Sequence, residues 1–474
     1  MLSNKLITLL KSFSSSDLLR FRKYLVSPFF NENENLIALY DLLFPYLKSK
    51  EETHPPQITD KRVVWKTLFP KEPYKDVKMR RLCSDLTKHG LSFLSIQQFK
   101  NTPLAATTYL LDPLNDAALS KQYEHVCRAA NEVENTPAIN NADYYFYKYQ
   151  ILWNQYQFKL KKRIPFVEDF READHFLDCY YYLNKLRNYC DELQIKNTIS
   201  TEGHISKPQD LFDYLEKEQL LEIPSIRAYY FATQMFLQPE EGANFQHLKD
   251  LVLATTTFSR NDLYNLFNYL MNYCVRKINA GNQDFFHQLF DLYKIALDKK
   301  ILLDKEHLDF QHYKNILGIS LKVKEYDWAE HFIQNYTQYL NEDIRDNALN
   351  YNLANLYFSQ KKYDQVIQQL NEVQFSNHIY ALNSKSILLK TYFELKEYQA
   401  LDSLVDSFRI YIRRNKSISK EAKQQYLNLL RFTKKISGIL PRDKPAIKKI
   451  TDQIQNCKAL AGKNWVLEKV NELV

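Results

Sequence analysis

Glycine is scarce in this sequence of 474 residues: there are 7, where average usage would give roughly 33. Glycine serves positive-φ turns, β-bulges and phosphate-binding loops, and helical proteins need it least. The shortage therefore predicts an all-α chain with few positive-φ turns. It also argues against nucleotide-dependent chemistry, because neither GxxxxGK[ST] nor GxGxxG occurs.

Other absences narrow the chemistry and the location. The six cysteines form no CxxC pair, there is no HExxH or GxSxG motif, and no run of about 18 apolar residues occurs. The apolar stretch before Lys11 is too short for the core of a secretion signal. These absences predict a cytoplasmic protein with free thiols, no membrane span, no metal, no cofactor and no catalytic residue.

Two arrangements come closest to a reactive site, and both are disfavoured. His175 lies four residues before Cys179 on a predicted helix, within reach on one face, but the neighbouring residues are apolar and aromatic. His307 and His312 are five residues apart, which turns them away from a common helical face. The sequence therefore predicts a non-enzymatic protein.

Charge is distributed unevenly around the net value of +8. Residues 1–100 carry +7, residues 101–408 carry −10, and residues 409–449 carry +11 with only Glu421 and Asp443 as acids. The molecule is basic at both ends and acidic in the middle. A field of this strength attracts phosphates or an acidic protein surface.

Helical periodicity divides the chain into four segments. Residues 1–100 are predicted to form an N-terminal helical module, and 101–223 long aromatic-rich helices that begin a repeat array. Residues 224–437 are predicted to form helix pairs, with a turn at Gly281, and 438–474 a basic segment with a capping helix. Gly90 interrupts one helical pattern and leaves its continuity open.

A repeat is clearest after residue 310. Three turn tyrosines, Tyr326, Tyr363 and Tyr398, each follow a short polar turn rich in Lys and Glu, at spacings of 37 and 35 residues. Apolar positions recur around them, and in the best unit they are Leu353, Ala354, Tyr357, Val366, Leu370 and Val373. This pattern resembles the tetratricopeptide repeat (TPR), a helix–turn–helix unit of 34 residues.

The resemblance implies a right-handed α-solenoid of antiparallel helix pairs whose concave face binds a protein or peptide. Two family positions differ, because Val366 stands where alanine is usual and His378 where proline is usual. The string from Phe13 to Asn31 also looks like the opening of uncharacterised bacterial proteins with such repeats, and it implies no function.

A cluster of cations around residue 415 is the candidate binding patch. Its members are Arg409, Arg413, Arg414, Lys416, Lys420 and Lys423. The favoured interpretation is a hydrated cap on the end of the array; an acidic protein, self-association that weakens with salt, and nucleic acid are alternatives. For the whole chain, the sequence favours an interaction scaffold over a peptide-sensing regulator with an N-terminal effector module, and over a nucleic-acid-associated protein that uses both basic ends.

Overall fold

The computed structural model describes six stretches of the chain. They are residues 4–48, 60–132, 141–163, 167–199, 209–371 and 378–474. Within them the backbone is almost entirely helical, with one hairpin of two-residue strands, so the all-α prediction is confirmed. The chain divides into two compact units, Met1–Asn184 and Lys185–Val474.

The first unit is built from helices of 8 to 25 residues and the first half of a longer one. They are α1 (Asn4–Lys11), α2 (Ser15–Val26), α3 (Glu34–Lys48), α4 (Lys61–Leu68), α5 (Asp76–Lys100), α6 (Pro103–Asp116), α7 (Ser120–Glu132), α8 (Ala142–Lys161) and α9 (Val167–Ile199), which continues into the second unit.

One apolar core holds α1 to α5 together. Its largest members, Trp65, Tyr40 and Phe21, are fully buried or nearly so. Helix α5 runs unbroken through Gly90, which faces Leu9 of α1. A Cβ atom there would stand 2.9 Å from the side chain of Leu9, so the glycine is explained by packing and not by a turn.

The second unit begins with the end of α9 and contains the remaining helices and the hairpin. They are α10 (Gln209–Lys217), α11 (Pro224–Leu237), α12 (Gly242–Ala254), α13 (Arg260–Asn279), α14 (Phe285–Asp298), β1 (Leu303–Asp304), β2 (His307–Leu308), α15 (Phe310–Lys322), α16 (Tyr326–Tyr336), α17 (Glu342–Ser359), α18 (Tyr363–Asn371), α19 (His378–Glu394), α20 (Tyr398–Arg414), α21 (Lys420–Ser437), α22 (Lys444–Gln455) and α23 (Lys463–Asn471).

Neighbouring helices of the second unit pack in sequence order. From α11 to α21 each helix contacts the next one along the chain. Some alternate helices also pack together. These pairs are α11 with α13, α15 with α17, α17 with α19, α19 with α21, and α21 with α23; α13 and α15 do not pack to this extent in the described residues. All of these helices have odd numbers. In the described part of the second unit, no two even-numbered helices pack against each other as closely as these pairs do.

The expectation of few positive-φ turns is wrong. Ten non-glycine residues in the described stretches have positive φ, and three of them, Lys324, Lys361 and Lys396, occupy equivalent turns before α16, α18 and α20. The left-handed conformation costs a non-glycine residue roughly 1 kcal/mol. Packing of the flanking helices fixes these turns, so a lysine adopts a conformation that glycine would take without this cost.

None of the helices in the described stretches is both long enough and apolar enough to cross a lipid bilayer.

Candidate interaction surface

Several of the repeat residues of α17 and α18 belong to one buried cluster. Ala354, Val366 and Leu370 are buried there together with Ile387 of α19. Leu353 is half-buried and does not belong to this cluster, since it lies about 100° around the helix from Ala354. Tyr357 packs against the cluster from outside, and Val373 lies outside the described residues.

The turn tyrosines occupy equivalent positions but differ in burial. Tyr326, Tyr363 and Tyr398 are each the first residue of their helix. Tyr363 is half-buried and its ring lies 5.8 Å from that of Phe358, and Tyr326 is half-buried too. Tyr398 is 49% exposed, so its ring covers less of the core than the other two.

The predicted basic patch lies where α20 ends and α21 begins. Arg413, Arg414, Lys416 and Lys420 are exposed, and Lys423 is half-buried. None of these five forms an ion pair among the described residues, whereas Arg409 is bound to Asp406 at 2.9 Å. The patch therefore contains five cations without an acidic partner among the described residues, whereas Asp406 compensates the charge of Arg409.

Helix electrostatics does not explain all of these cations. Arg413 and Arg414 stand in the last turn of α20, where the helix dipole favours positive charge. Lys420 and Lys423 instead stand in the first turn of α21, where the dipole disfavours it. These two lysines therefore add to the positive field without stabilising their own helix.

Several basic residues of the N-terminal unit form ion pairs with nearby acids. Lys61 and Arg80 both pair with Asp76, at 3.5 and 2.8 Å, and Arg81 approaches Asp85 at 3.8 Å. The nucleic-acid alternative requires Lys61, Arg62, Arg80 and Arg81 to share one face, and of these Arg62 is exposed and forms no ion pair among the described residues. The ion pairs reduce the field that such a face would offer to phosphates.

Neither His175 with Cys179 nor His307 with His312 forms an evident reactive site. The Cys179 sulfur lies 3.6 Å from Nε2 of His175, but burial raises the pKa of Cys179 to about 12, so the thiol stays protonated at neutral pH. His307 and His312 border an open cavity of about 450 Å³ between α13, the hairpin and α15. In the described stretches no three His, Cys, Asp or Glu side chains are grouped to hold a metal.

A row of asparagines on α13 is a feature that our reading of the sequence missed. Asn261, Asn265, Asn268 and Asn272 follow one another at spacings of four, three and four residues, which places them on one helical face. Asn268 is half-buried and the others are exposed, and none makes a side-chain hydrogen bond within the described residues. Asparagine is a poor helix former, so the five asparagines of α13, counting Asn279 at its end, do not favour the helix.

A buried polar network at the start of the second unit was also missed. Asp262, which is fully buried, accepts hydrogen bonds from Arg187, from Tyr229 at 2.8 Å and from Ser259 at 2.5 Å. Desolvation and the Asp262 charge raise the pKa of the Tyr229 hydroxyl, which stays a donor. The network joins α9, α11 and α13, the helix that carries the asparagine row.

No family model, no curated protein and no solved structure matches this chain.

Proposed function

We propose that the chain is a non-enzymatic scaffold that binds a protein or peptide on the face formed by the odd-numbered helices of its second unit. The observation that carries this proposal is the one-sided packing of alternate helices. In a curved stack of antiparallel helix pairs, the inner helices approach one another and the outer helices spread apart. The packing supports a TPR-like α-solenoid whose inner, concave layer is the odd-numbered one.

The asparagine row supplies hydrogen-bonding capacity on that layer. A side-chain amide both donates and accepts, so it matches the alternating N–H and C=O groups of an extended peptide. Four free amides along α13 span about 16 Å at a rise of 1.5 Å per residue, which corresponds to roughly five extended residues. A peptide segment of that length is the partner that fits the row.

Removing the amides of α13 is expected to abolish partner binding. The variant Asn265→Ala, Asn268→Ala, Asn272→Ala should fold at least as stably as the wild type, since alanine is the better helix former. The measurement is affinity capture from the native cell with quantitative mass spectrometry. Its matched control replaces three exposed amides of even-numbered helices, Gln334, Gln365 and Gln368, with alanine. Equal recovery of every partner by both variants would contradict the proposed face.

The basic patch favours a second candidate function, docking of an acidic protein surface. Five uncompensated cations within eleven residues make a local field that a hydrated cap does not need. The acidic segment 101–408 of a second copy would offer such a surface. Docking to an acidic partner protein or to a second copy should weaken steeply with added salt.

Reversing the patch separates docking from capping. The variant Arg413→Glu, Lys420→Glu, Lys423→Glu should lose its acidic partner, while its free energy of unfolding changes by less than about 1 kcal/mol per site. Control reversals at Arg442, Lys448 and Lys449, which are exposed in the same basic segment, change the net charge equally and should retain the partner. Capture with and without nuclease distinguishes protein from nucleic acid, and sedimentation at low and high salt detects a dimer. A salt-independent monomer with an unchanged set of partners would leave only the capping role.

A further inference from the structure

An open cavity between α7 and α8 belongs to the first unit and shares no residue with the surfaces of the proposed scaffold function. Its volume is about 620 Å³, within the range of small-molecule sites, roughly 300–1,000 Å³. Side chains of both helices line it in the described part of the chain. They are Tyr123, Glu124, Cys127, Arg128, Gln155, Phe158, Lys159 and Lys162.

The cavity gathers positive charge inside the acidic part of the sequence. Arg128, Lys159 and Lys162 line it against one acid, Glu124, although residues 101–408 carry −10 overall. The side chain of Glu124 is 61% exposed, and its carboxylate lies 3.8 Å from the Lys162 amine, so this ion pair is weak. Arg128 is exposed and donates from Nε to a backbone carbonyl of its own helix at 3.4 Å. Its two terminal amino groups are therefore available for an anion, which a guanidinium binds in bidentate fashion.

The floor of the cavity is formed by two stacked aromatic rings. The rings of Tyr123 and Phe158 stack with centroids 4.0 Å apart and an angle of 12°, and the Lys162 amine lies 4.1 Å from the centre of the Phe158 ring. Tyr123 is 2% exposed, and its hydroxyl is buried without a hydrogen-bond partner of good geometry in the described residues. Most buried hydroxyls in folded proteins have a hydrogen-bond partner, and the Cys127 thiol, which interacts with this hydroxyl, is only a weak one.

We propose that this cavity binds a small organic anion, in which a carboxylate or phosphate group is carried on a short apolar body. Arg128 and Lys162 bind the anionic group, and the apolar body covers the edge of the aromatic floor. The proposal does not depend on the scaffold function, because all of its residues belong to the first unit.

Calorimetric titration with four matched probes tests the ligand class. Phenyl phosphate and benzoate carry both features, inorganic phosphate lacks the apolar body, and benzyl alcohol lacks the charge. At least one of the first two should bind at least tenfold more tightly than either of the last two, and the better one identifies the anionic group. Absence of binding by both aromatic anions at millimolar concentration would overturn the proposal, as would equal binding of benzyl alcohol.

Variants on the same two helices locate the site. Arg128→Gln with Lys162→Gln should weaken binding of the better probe at least tenfold. Lys121→Gln with Lys161→Gln removes the same charge from exposed positions of α7 and α8 outside the cavity, and should leave binding unchanged. An equal loss in both double variants would show that only the general charge of the unit matters and would refute the cavity.

Protection of Cys127 gives a readout that does not use the variants. Cys127 is half-buried in the cavity wall, and Cys457 is the other described cysteine that is not fully buried. Saturating probe should slow alkylation of Cys127 by N-ethylmaleimide at least fivefold, as followed by peptide mapping, with Cys457 as the internal control. Equal rates with and without probe would place the bound anion elsewhere.

Discussion

Replacing Leu370 with aspartate is expected to destabilise the second unit by more than about 4 kcal/mol. The side chain is 4% exposed and packs with Ala354, Val366 and Ile387, so the variant loses about 2 kcal/mol of apolar burial. The remainder comes from a carboxylate that has no partner in this cluster and must either stay buried or become protonated. Urea unfolding followed by circular dichroism measures the change.

A neighbouring position supplies the control for this variant. Gln368 lies two residues earlier on α18 and is exposed, so Gln368→Asp introduces the same charge without burying it. Its free energy of unfolding should stay within about 0.5 kcal/mol of the wild type. If Leu370→Asp unfolded at the same urea concentration as this control, the register of α17 against α18 would be wrong.

Replacing Asp262 with alanine is expected to cost about 3–5 kcal/mol, because it removes one partner of a buried charge pair. Arg187 would lose its counter-charge, and the hydroxyls of Tyr229 and Ser259 would lose their acceptor. Within the described residues the buried Nε atom of Arg187 already has no hydrogen-bond partner, so the loss of Asp262 would leave this guanidinium still less satisfied. The measurement is again the urea midpoint of the second unit.

Two comparisons make this result interpretable. Asp262→Asn keeps an acceptor but removes the charge, and should fall between alanine and the wild type. Asn261→Ala changes the adjacent exposed residue of α13 and should cost nothing measurable. An Asp262→Ala protein as stable as Asn261→Ala would mean that the network does not hold α9, α11 and α13 together.

The sequence predicts local features of this fold well. Helical periodicity and the repeated polar turns place Tyr326, Tyr363 and Tyr398 at helix starts, because both signals lie within a few residues of the position that they determine. The buried face of α18 is predicted in the same way, because Val366 and Leu370 are four residues apart and lie on one side of a helix. The uncompensated cations around residue 415 also follow, since few acids stand near them in the sequence.

Features that join distant segments could not be predicted. Asp262 meets Arg187 across 75 residues, and Tyr269 donates to Asp191 across 78, at 2.5 Å. A single sequence contains no signal for such pairs, because polar residues at those positions look like any solvent-facing residues. The cavity between α7 and α8 belongs to the same class. The asparagine row of α13 is different, since its spacing is visible in the sequence and a search for periodic polar residues would find it.

The lysines in the left-handed turns lower the free energy of unfolding below the value that glycine would give at the same positions. Lys324, Lys361 and Lys396 together carry roughly 3 kcal/mol of backbone cost, a sizeable share of the 5–15 kcal/mol that keeps a typical domain folded. Selection retains such residues when a protein is already stable enough for its task. The turns are therefore the place where thermostability could be engineered into this chain without altering either of its candidate binding surfaces.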